Sequence, residues 1–163
     1  MTAFASIRRH GGVLLLALTV LAGCAGPAAL RGGAPLRDPA APLASIADVD
    51  WRRLSGGWTV TRSAGAAPPA GAAVTLALDA AGTGRWTLAG RPEALQPAGP
   101  GRLRGNGRDY WLLWADADAR TAVVGSPGGD GVWIMDRSVP SPDRLAAARD
   151  ILDWYGYDLA RLR

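Results

Sequence analysis

The sequence predicts an all-β domain, an up-and-down antiparallel barrel with one α-helix packed on its outside. Three observations lead there. Between Gly57 and Arg137, short runs alternate apolar with polar residues at period two and stop at Gly, Asp or Pro. Two of these runs, Tyr110–Ala115 and Thr121–Gly125, flank the turn Asp116-Ala117-Asp118-Ala119-Arg120 and read as a hairpin. The strands are then followed by one capped, striped helix, which should lay its stripe on the outer face of the sheet.

Taken in order, Asp50 to Leu54 reads as a helical turn that Ser55-Gly56-Gly57 breaks, and Gly57–Arg62 is the first strand. Val74, Leu76 and Leu78 alternate with Ala73, Thr75 and Ala77 in the second. The turn Asp79–Gly84 leads into a partner over Arg85–Ala89. Residues 91–108 are rich in Gly and Pro, so strands here are expected to be short. Val132–Arg137 is the last strand. Ser141 then suits an N-cap, Pro142 the first helical position and Asp143 the positive helix end. Leu145, Ala148, Leu152 and Tyr155 form one stripe, and Gly156 stops the helix.

The N-terminus has another purpose. Arg8, Arg9 and His10 precede an apolar run, Val13–Ala22, about half the ~20 residues that span a bilayer. The run closes on Leu21-Ala22-Gly23-Cys24, which resembles the lipobox of bacterial lipoproteins. The resemblance implies a signal peptide over 1–23, cut to leave Cys24 as the lipid-modified first residue. Cys24 is the single cysteine of the chain, and lipidation accounts for a lone thiol in an oxidising compartment. Three acyl chains would make attachment effectively permanent, since each buried methylene adds ~0.8 kcal/mol. Ala25, where many inner-membrane lipoproteins carry Asp, favours the outer membrane with the domain facing the periplasm. Residues 24–47, Cys24 followed by an Ala/Pro-rich stretch without periodicity, read as a tether, and 48–163 as the barrel domain.

Composition excludes several functions. All 18 basic residues are arginine, and two leave with the signal, so 16 face 14 acids. The signs are interspersed, which leaves no footprint for nucleic acid. After cleavage the chain has no histidine and no free thiol, so His-based triads and His/Cys metal sites are excluded. Glu93 is the single glutamate. No catalytic residue, cofactor or metal site is therefore expected, and Asp116 and Asp118 read as an acidic turn. Arg102, Arg104 and Arg108 read either as solvated loop residues or as contacts to an anionic group at the barrel mouth.

At this point the residues resemble a family. Asp50-Trp51-Arg52-Arg53-Leu54-Ser55-Gly56-Gly57-Trp58 resembles the opening of lipocalins, a helical turn followed by G-x-W at Gly56 and Trp58. Tyr110–Val124 resembles their acidic-turned hairpin, and Trp133-Ile134-Met135-Asp136-Arg137 before the helix resembles the end of their last strand. The likeness is closest to bacterial, lipobox-bearing lipocalins. It implies about eight strands, an Arg137 side chain lying across Trp58 to close the barrel floor, and an apolar ligand such as a fatty acid or lysophospholipid. A cation–π pair of that kind contributes ~0.5–2 kcal/mol. Two departures are Thr59, where the family usually has tyrosine, and the short 91–108 stretch, which implies a shallow or partly open barrel.

In such a barrel alternate residues face the lumen. Setting Trp58 inward gives Val60, Val74, Leu76, Leu78, Trp86, Leu88, Tyr110, Leu112, Trp114, Val123, Gly125, Trp133 and Met135 as the inward set. Val60, Leu76, Trp86, Leu88, Tyr110, Leu112, Trp114, Val123, Trp133 and Met135 are the candidates to line a ligand. Ile134 should point outward, under the helix. Two functions stay open: a lumen that admits an apolar small molecule or lipid, or a filled barrel serving as a periplasmic protein-binding or structural module.

Overall fold

A computed structural model describes residues 34–163; the signal, Cys24 and the first part of the tether lie outside the described residues. Eight antiparallel strands close into a barrel in sequence order. They are β1 (Gly56–Gly65), β2 (Ala73–Leu78), β3 (Gly84–Leu88), β4 (Arg91–Gly99), β5 (Arg102–Gly105), β6 (Arg108–Ala115), β7 (Thr121–Gly125) and β8 (Gly131–Asp136). A one-turn helix α1 (Trp51–Leu54) precedes them and α2 (Pro142–Trp154) follows. The barrel closes where β1 pairs with β8, from Thr59 opposite Asp136 to Gly65 opposite Gly131.

Strand alternation divides the apolar residues into two cores. The inner one fills the lumen with Trp58, Val60, Val74, Leu76, Trp86, Leu112, Trp133 and Met135, closed at one end by Trp51 and Leu54 of α1. The outer one lies between the sheet and α2, where Ala148 and Leu152 meet Leu113, Val123 and Ile134. Ile134 thus points outward, on the face opposite Trp133 and Met135. Helix α2 begins as its residues dictate, with the Ser141 hydroxyl accepting from Arg144 N–H and Pro142 in the first turn.

The Gly/Pro-rich stretch departs from expectation. Strand β4 runs nine residues and carries both Pro92 and Pro97, and the barrel is closed there rather than open. Its partner β5 is short, and their register shifts between Pro97 and Gly99. Period two survives under the unusual composition, because Leu95 is fully buried between exposed Ala94 and Gln96. A buried leucine of this kind contributes ~1.5–3 kcal/mol.

The described part of the tether also departs from expectation, because residues 34–47 dock on the barrel. Leu36 is buried in the outer core, and Asp38 N–H donates to Gly156 O at 2.8 Å. Ile46 N–H donates to Leu112 O at 2.9 Å, and Ser45 Oγ donates to Pro100 O at 2.8 Å. Isolated anchors such as Leu36 and Ile46, joined through backbone hydrogen bonds, leave no periodic trace in a sequence.

Candidate functional site

The two ends of the barrel are built differently. At the end where β1 begins, Trp58 is buried, its indole N–H donates to Leu54 O at 2.8 Å, and the Arg137 guanidinium lies 4.2 Å from its ring centroid. Arg137 also donates to Ala119 O, Arg53 O and Ser55 O at 2.6–2.9 Å, tying α1 to the β6–β7 turn. Gly56 is required at this point. Its φ is +113°, and a Cβ there would sit 2.8 Å from the Arg137 Nη1. Above this floor the lumen is nearly solid, since the void among Trp51, Leu76, Trp86, Leu112 and Met135 measures only ≈20 Å³.

At the other end a cavity of ≈630 Å³ opens to solvent. The β1–β2 loop supplies Ala66, Ala67, Pro68 and Pro69, β3, β4 and the turn between them supply Leu88, Ala89, Arg91, Pro92 and Glu93, and Asn106, Arg108, Tyr110 and Trp133 complete the lining. It adjoins a second recess of ≈280 Å³ towards the β7–β8 turn, with Ala66, Arg108, Tyr110 and Trp133 shared. The rings of Trp86, Tyr110 and Trp133 pack together beneath, with centroids 4.3–6.2 Å apart.

Glu93 is the polar centre of this end. Its carboxylate accepts from Trp86 Nε1–H at 3.1 Å and from the Tyr110 hydroxyl at 3.2 Å. Among the described residues it makes no ion pair. Burial, then the charge and hydrogen bond of Glu93, push the Tyr110 hydroxyl up to about 12, so it stays a donor at neutral pH. Room for the carboxylate comes from across the sheet, because a Cβ on Gly105 would stand 2.4 Å from Glu93 Oε1. Trp133 is 2% exposed, and among the described residues its indole N–H has no partner.

Of the lining candidates, Val60, Leu76, Trp86, Tyr110, Leu112, Trp133 and Met135 lie in the inner core, and Leu88 packs against it at the cavity wall. Tyr110, Trp133 and Leu88 reach the cavity; Leu76, Trp86, Leu112 and Met135 line the small void below it.

Trp114 and Val123 are corrections. Leu112 pairs with Val124 and Trp114 with Val123, so Leu113 is an extra residue that reverses the phase of β6. Leu113 and Trp114 then join the outer core, and Ala115 turns back to the inner one. Val123 pairs with Ile134 and shares its outward face. Strand β7 is buried on both sides, so its continuous apolar run gave no alternation to set its phase. Gly125 follows the same parity, since a Cβ there would meet Tyr157 and Leu113 outside the barrel.

The three arginines separate. Arg102 lies 4.0 Å from the Trp111 ring centroid and donates to Ser45 Oγ, Arg104 pairs with Asp109 at 2.6 Å, and only Arg108 lines the cavity. Asp116 accepts from the backbone N–H groups of Arg120 and Thr121, as an acidic turn should. Glu93 was missed as a lining residue. The signal was its spacing from Leu95, two residues on, hidden by the prolines on either side.

A family model described as a lipocalin-like domain matches residues 98–163, which carry β5 to β8 and α2. Insecticyanin from the tobacco hornworm Manduca sexta is similar in structure, with TM-score 0.56 and 13% identity over 75% of this chain and 82% of that one. The cockroach allergen Per a 4 gives 0.55 at 12% identity, over 77% and 94%. Apocrustacyanin C1 gives 0.54 at 12% identity, over 70% and 77%. No curated protein matches the chain. The fold is that of the lipocalins, a closed eight-stranded antiparallel barrel with a C-terminal helix outside.

Proposed function

We propose that this chain is a binding protein, anchored in the outer membrane through Cys24 and facing the periplasm, that holds a small amphiphilic molecule in the open end of its barrel. One observation carries the reading: a cavity of ≈630 Å³ with mixed apolar and polar walls sits above a filled lumen. That volume falls within the ~300–1,000 Å³ of ligand pockets. Ala67, Pro68, Leu88 and Pro92 offer the apolar wall and Glu93 with Tyr110 the polar end. The ≈20 Å³ left in the lower lumen offers no bore for a long alkyl chain. Of a fatty acid or lysophospholipid, only a short stretch would therefore be enclosed. The filled half favours a second reading, a barrel that binds a periplasmic protein and no small molecule.

Full-length chain carrying Cys24→Ser, titrated with a neutral polarity-sensitive dye, tests the first reading. It expects one saturable site that quenches tryptophan emission and that Ala67→Trp weakens at least fivefold. Absence of a saturable site would favour the second reading. Anchoring is checked separately by fractionation: native chain should sediment with outer membranes and Cys24→Ser should not.

A further inference from the structure

The described chain begins at the open end of the barrel. Arg161 Nη1–H donates to Ala34 O at 2.7 Å, and Asp158 N–H donates to Leu36 O at 2.9 Å. Leu36 packs against Gly65, the last residue of β1, and Arg37 against Gly129 of the β7–β8 turn. A Cβ on these glycines would stand 2.8 Å and 2.9 Å from them. Cys24 stands ten positions before Ala34, and ten residues reach at most ~36 Å however they run. Strand β1 has ten residues, which at ~3.3 Å each and a tilt of ~40° give the barrel a height of ~25 Å. An anchor at Cys24 can therefore bring the open end to a bilayer with reach to spare. Setting the closed end there would use up most of that reach in running back along the barrel.

The two rims also differ chemically. The open-end turns cover residues 66–72, 89–90, 106–107 and 126–130, and their one charged residue is Asp130, which accepts from the Ser126 hydroxyl. The longest of them, 66–72, is built of Ala, Pro and Gly alone, with Ala66, Pro69, Ala70 and Gly71 exposed. At the closed end the turns 79–83 and 116–120 carry Asp79, Asp116, Asp118 and Arg120. Asp48, Asp50, Arg52 and Arg53 are exposed there too, on α1 and just before it. Pressing charged turns onto a bilayer strips water from them, whereas an uncharged rim loses little. Helix α2 adds an aromatic to the open end. It starts at the closed end, where Arg144 pairs with Asp136, and finishes where Gly156 O accepts from Asp38 N–H. Just beyond it, a Cβ on Gly125, at the open end of β7, would stand 2.8 Å from the Tyr157 hydroxyl. Trp154, the last residue of α2, is 71% exposed, and tryptophan favours the level of lipid head groups. Val139, also exposed, is a lone aliphatic side chain at the closed end and needs no cover.

Resting on the anchoring through Cys24 proposed above, we propose that the open end of the barrel faces a phospholipid bilayer, with the 66–72 loop and Trp154 at head-group level. The mouth of the cavity then opens onto the leaflet that holds the anchor. Arg91 and Arg108, exposed at the starts of β4 and β6, stand on the same rim, where they suit lipid phosphates. Asp109 beside them is paired with Arg104.

The test anchors full-length chain through Cys24 in vesicles of phosphatidylethanolamine and phosphatidylcholine, the latter brominated at the head-group end of its acyl chains, and reads the quenching of tryptophan emission. Trp154→Phe supplies the background, and Ala70→Trp and Asp118→Trp, added to it singly at exposed turn positions, place one reporter on each rim. The emission of Trp154, taken as the difference between native chain and Trp154→Phe, should fall at least twofold relative to unbrominated vesicles. That of Ala70→Trp should fall as much, and that of Asp118→Trp should not change. Quenching of Asp118→Trp equal to that of Ala70→Trp would overturn the proposal, because the barrel would then lie on its side or inverted. Quenching of neither would overturn it too, since the domain would stand clear of the lipid. An unquenched Trp154 beside a quenched Ala70→Trp would overturn the part assigned to Trp154. Mass spectrometry of chain taken from cells reports acylation separately. If Cys24 carries no acyl group, the anchoring reading fails, and coupling its thiol to a maleimide-bearing phospholipid lets the same comparison decide which end meets the bilayer.

Discussion

The lumen at the closed end of this barrel is clamped and nearly solid, whereas the open end is roomy and gathers Glu93, Arg91 and Arg108 around one cavity. At the closed end Arg137 Nε and Nη2 donate to three carbonyls, its guanidinium covers the Trp58 ring, and the indole of Trp58 has its acceptor. At the open end the indole of Trp133 has none among the described residues. The same strands thus serve two purposes along their length, stability below and recognition above.

The largest effect should come from the clamp. Trp58→Ala removes the main side chain of the closed end and should cost ~3–5 kcal/mol, as for other buried aromatic truncations. Arg137→Ala should be destabilising too. Because the two side chains touch, the double variant should lose less than the sum by ~0.5–2 kcal/mol. Denaturant melts of the four proteins measure this, and strict additivity would show that the ring–guanidinium contact contributes nothing.

Next in size is overpacking of the filled lumen. Leu112 is 4% exposed beside a void of only ≈20 Å³. Leu112→Trp overpacks the lumen side unless its ring turns into the ≈220 Å³ recess that Leu112 shares with Ile46, Val49 and Leu54, and it should cost ~1–3 kcal/mol. A thermal melt unchanged from the native chain would mean that the lower lumen is looser than described, and the contrast between the ends would weaken.

A smaller effect concerns the joint between barrel and helix. Asp136 is fully buried, accepting from the Thr121 hydroxyl and from Ser138 N–H, with Arg144 of α2 at 3.4 Å. Burial raises its pKa, but the hydrogen bonds from Thr121 and Ser138 and the pairing with Arg144 outweigh it and hold the carboxyl below the usual range. A depressed folded value means this contribution is complete above the unfolded Asp value of ~3.9. It is lost as pH falls below that value towards the folded one. Asp136→Asn should cost ~1–3 kcal/mol at neutral pH, the range for disturbing buried hydrogen bonds. It should also flatten the acid side of a plot of melting temperature against pH. An unchanged acid limb would assign that limb to other carboxylates.

How much of the two ends could be read beforehand follows from how each is built. The clamp was legible because Gly56, Trp58 and Arg137 hold fixed places in a motif, and α2 because Ser141, Pro142 and Gly156 mark its ends. Strands β2 and β8 showed their faces, β2 through alternation and β8 through Ile134. The inward faces of β6 and β7 were not legible past Leu112. A bulge adds one residue without a compositional mark, and a strand buried on both sides has no polar face to show its phase. The open end was the least legible part. Its carboxylate sits between prolines in β4; the docked N-terminal segment, which lines neither recess of that end, was hidden as well, because its anchors have no period.

The smallest expected effect on stability is the one that sharpens the comparison most. Leu88 stands on the wall of the open cavity and is only half-buried, although it packs on the same inner core as Leu112. Leu88→Trp makes the same chemical change as Leu112→Trp, but its added ring can turn into the ≈630 Å³ space rather than into packed neighbours. Stability should therefore shift by no more than ~0.5 kcal/mol, as for substitutions away from a dense core. Dye binding at the open end should nevertheless fall at least fivefold, because the ring takes up volume that a ligand would use. Paired melts and titrations of the two leucine variants thus read the two ends with one substitution. If Leu88→Trp destabilises the chain as much as Leu112→Trp, the open end is packed like the closed one, and the filled-barrel reading gains. If it leaves both stability and dye binding untouched, the dye lies elsewhere, and Leu88 is no part of a ligand wall.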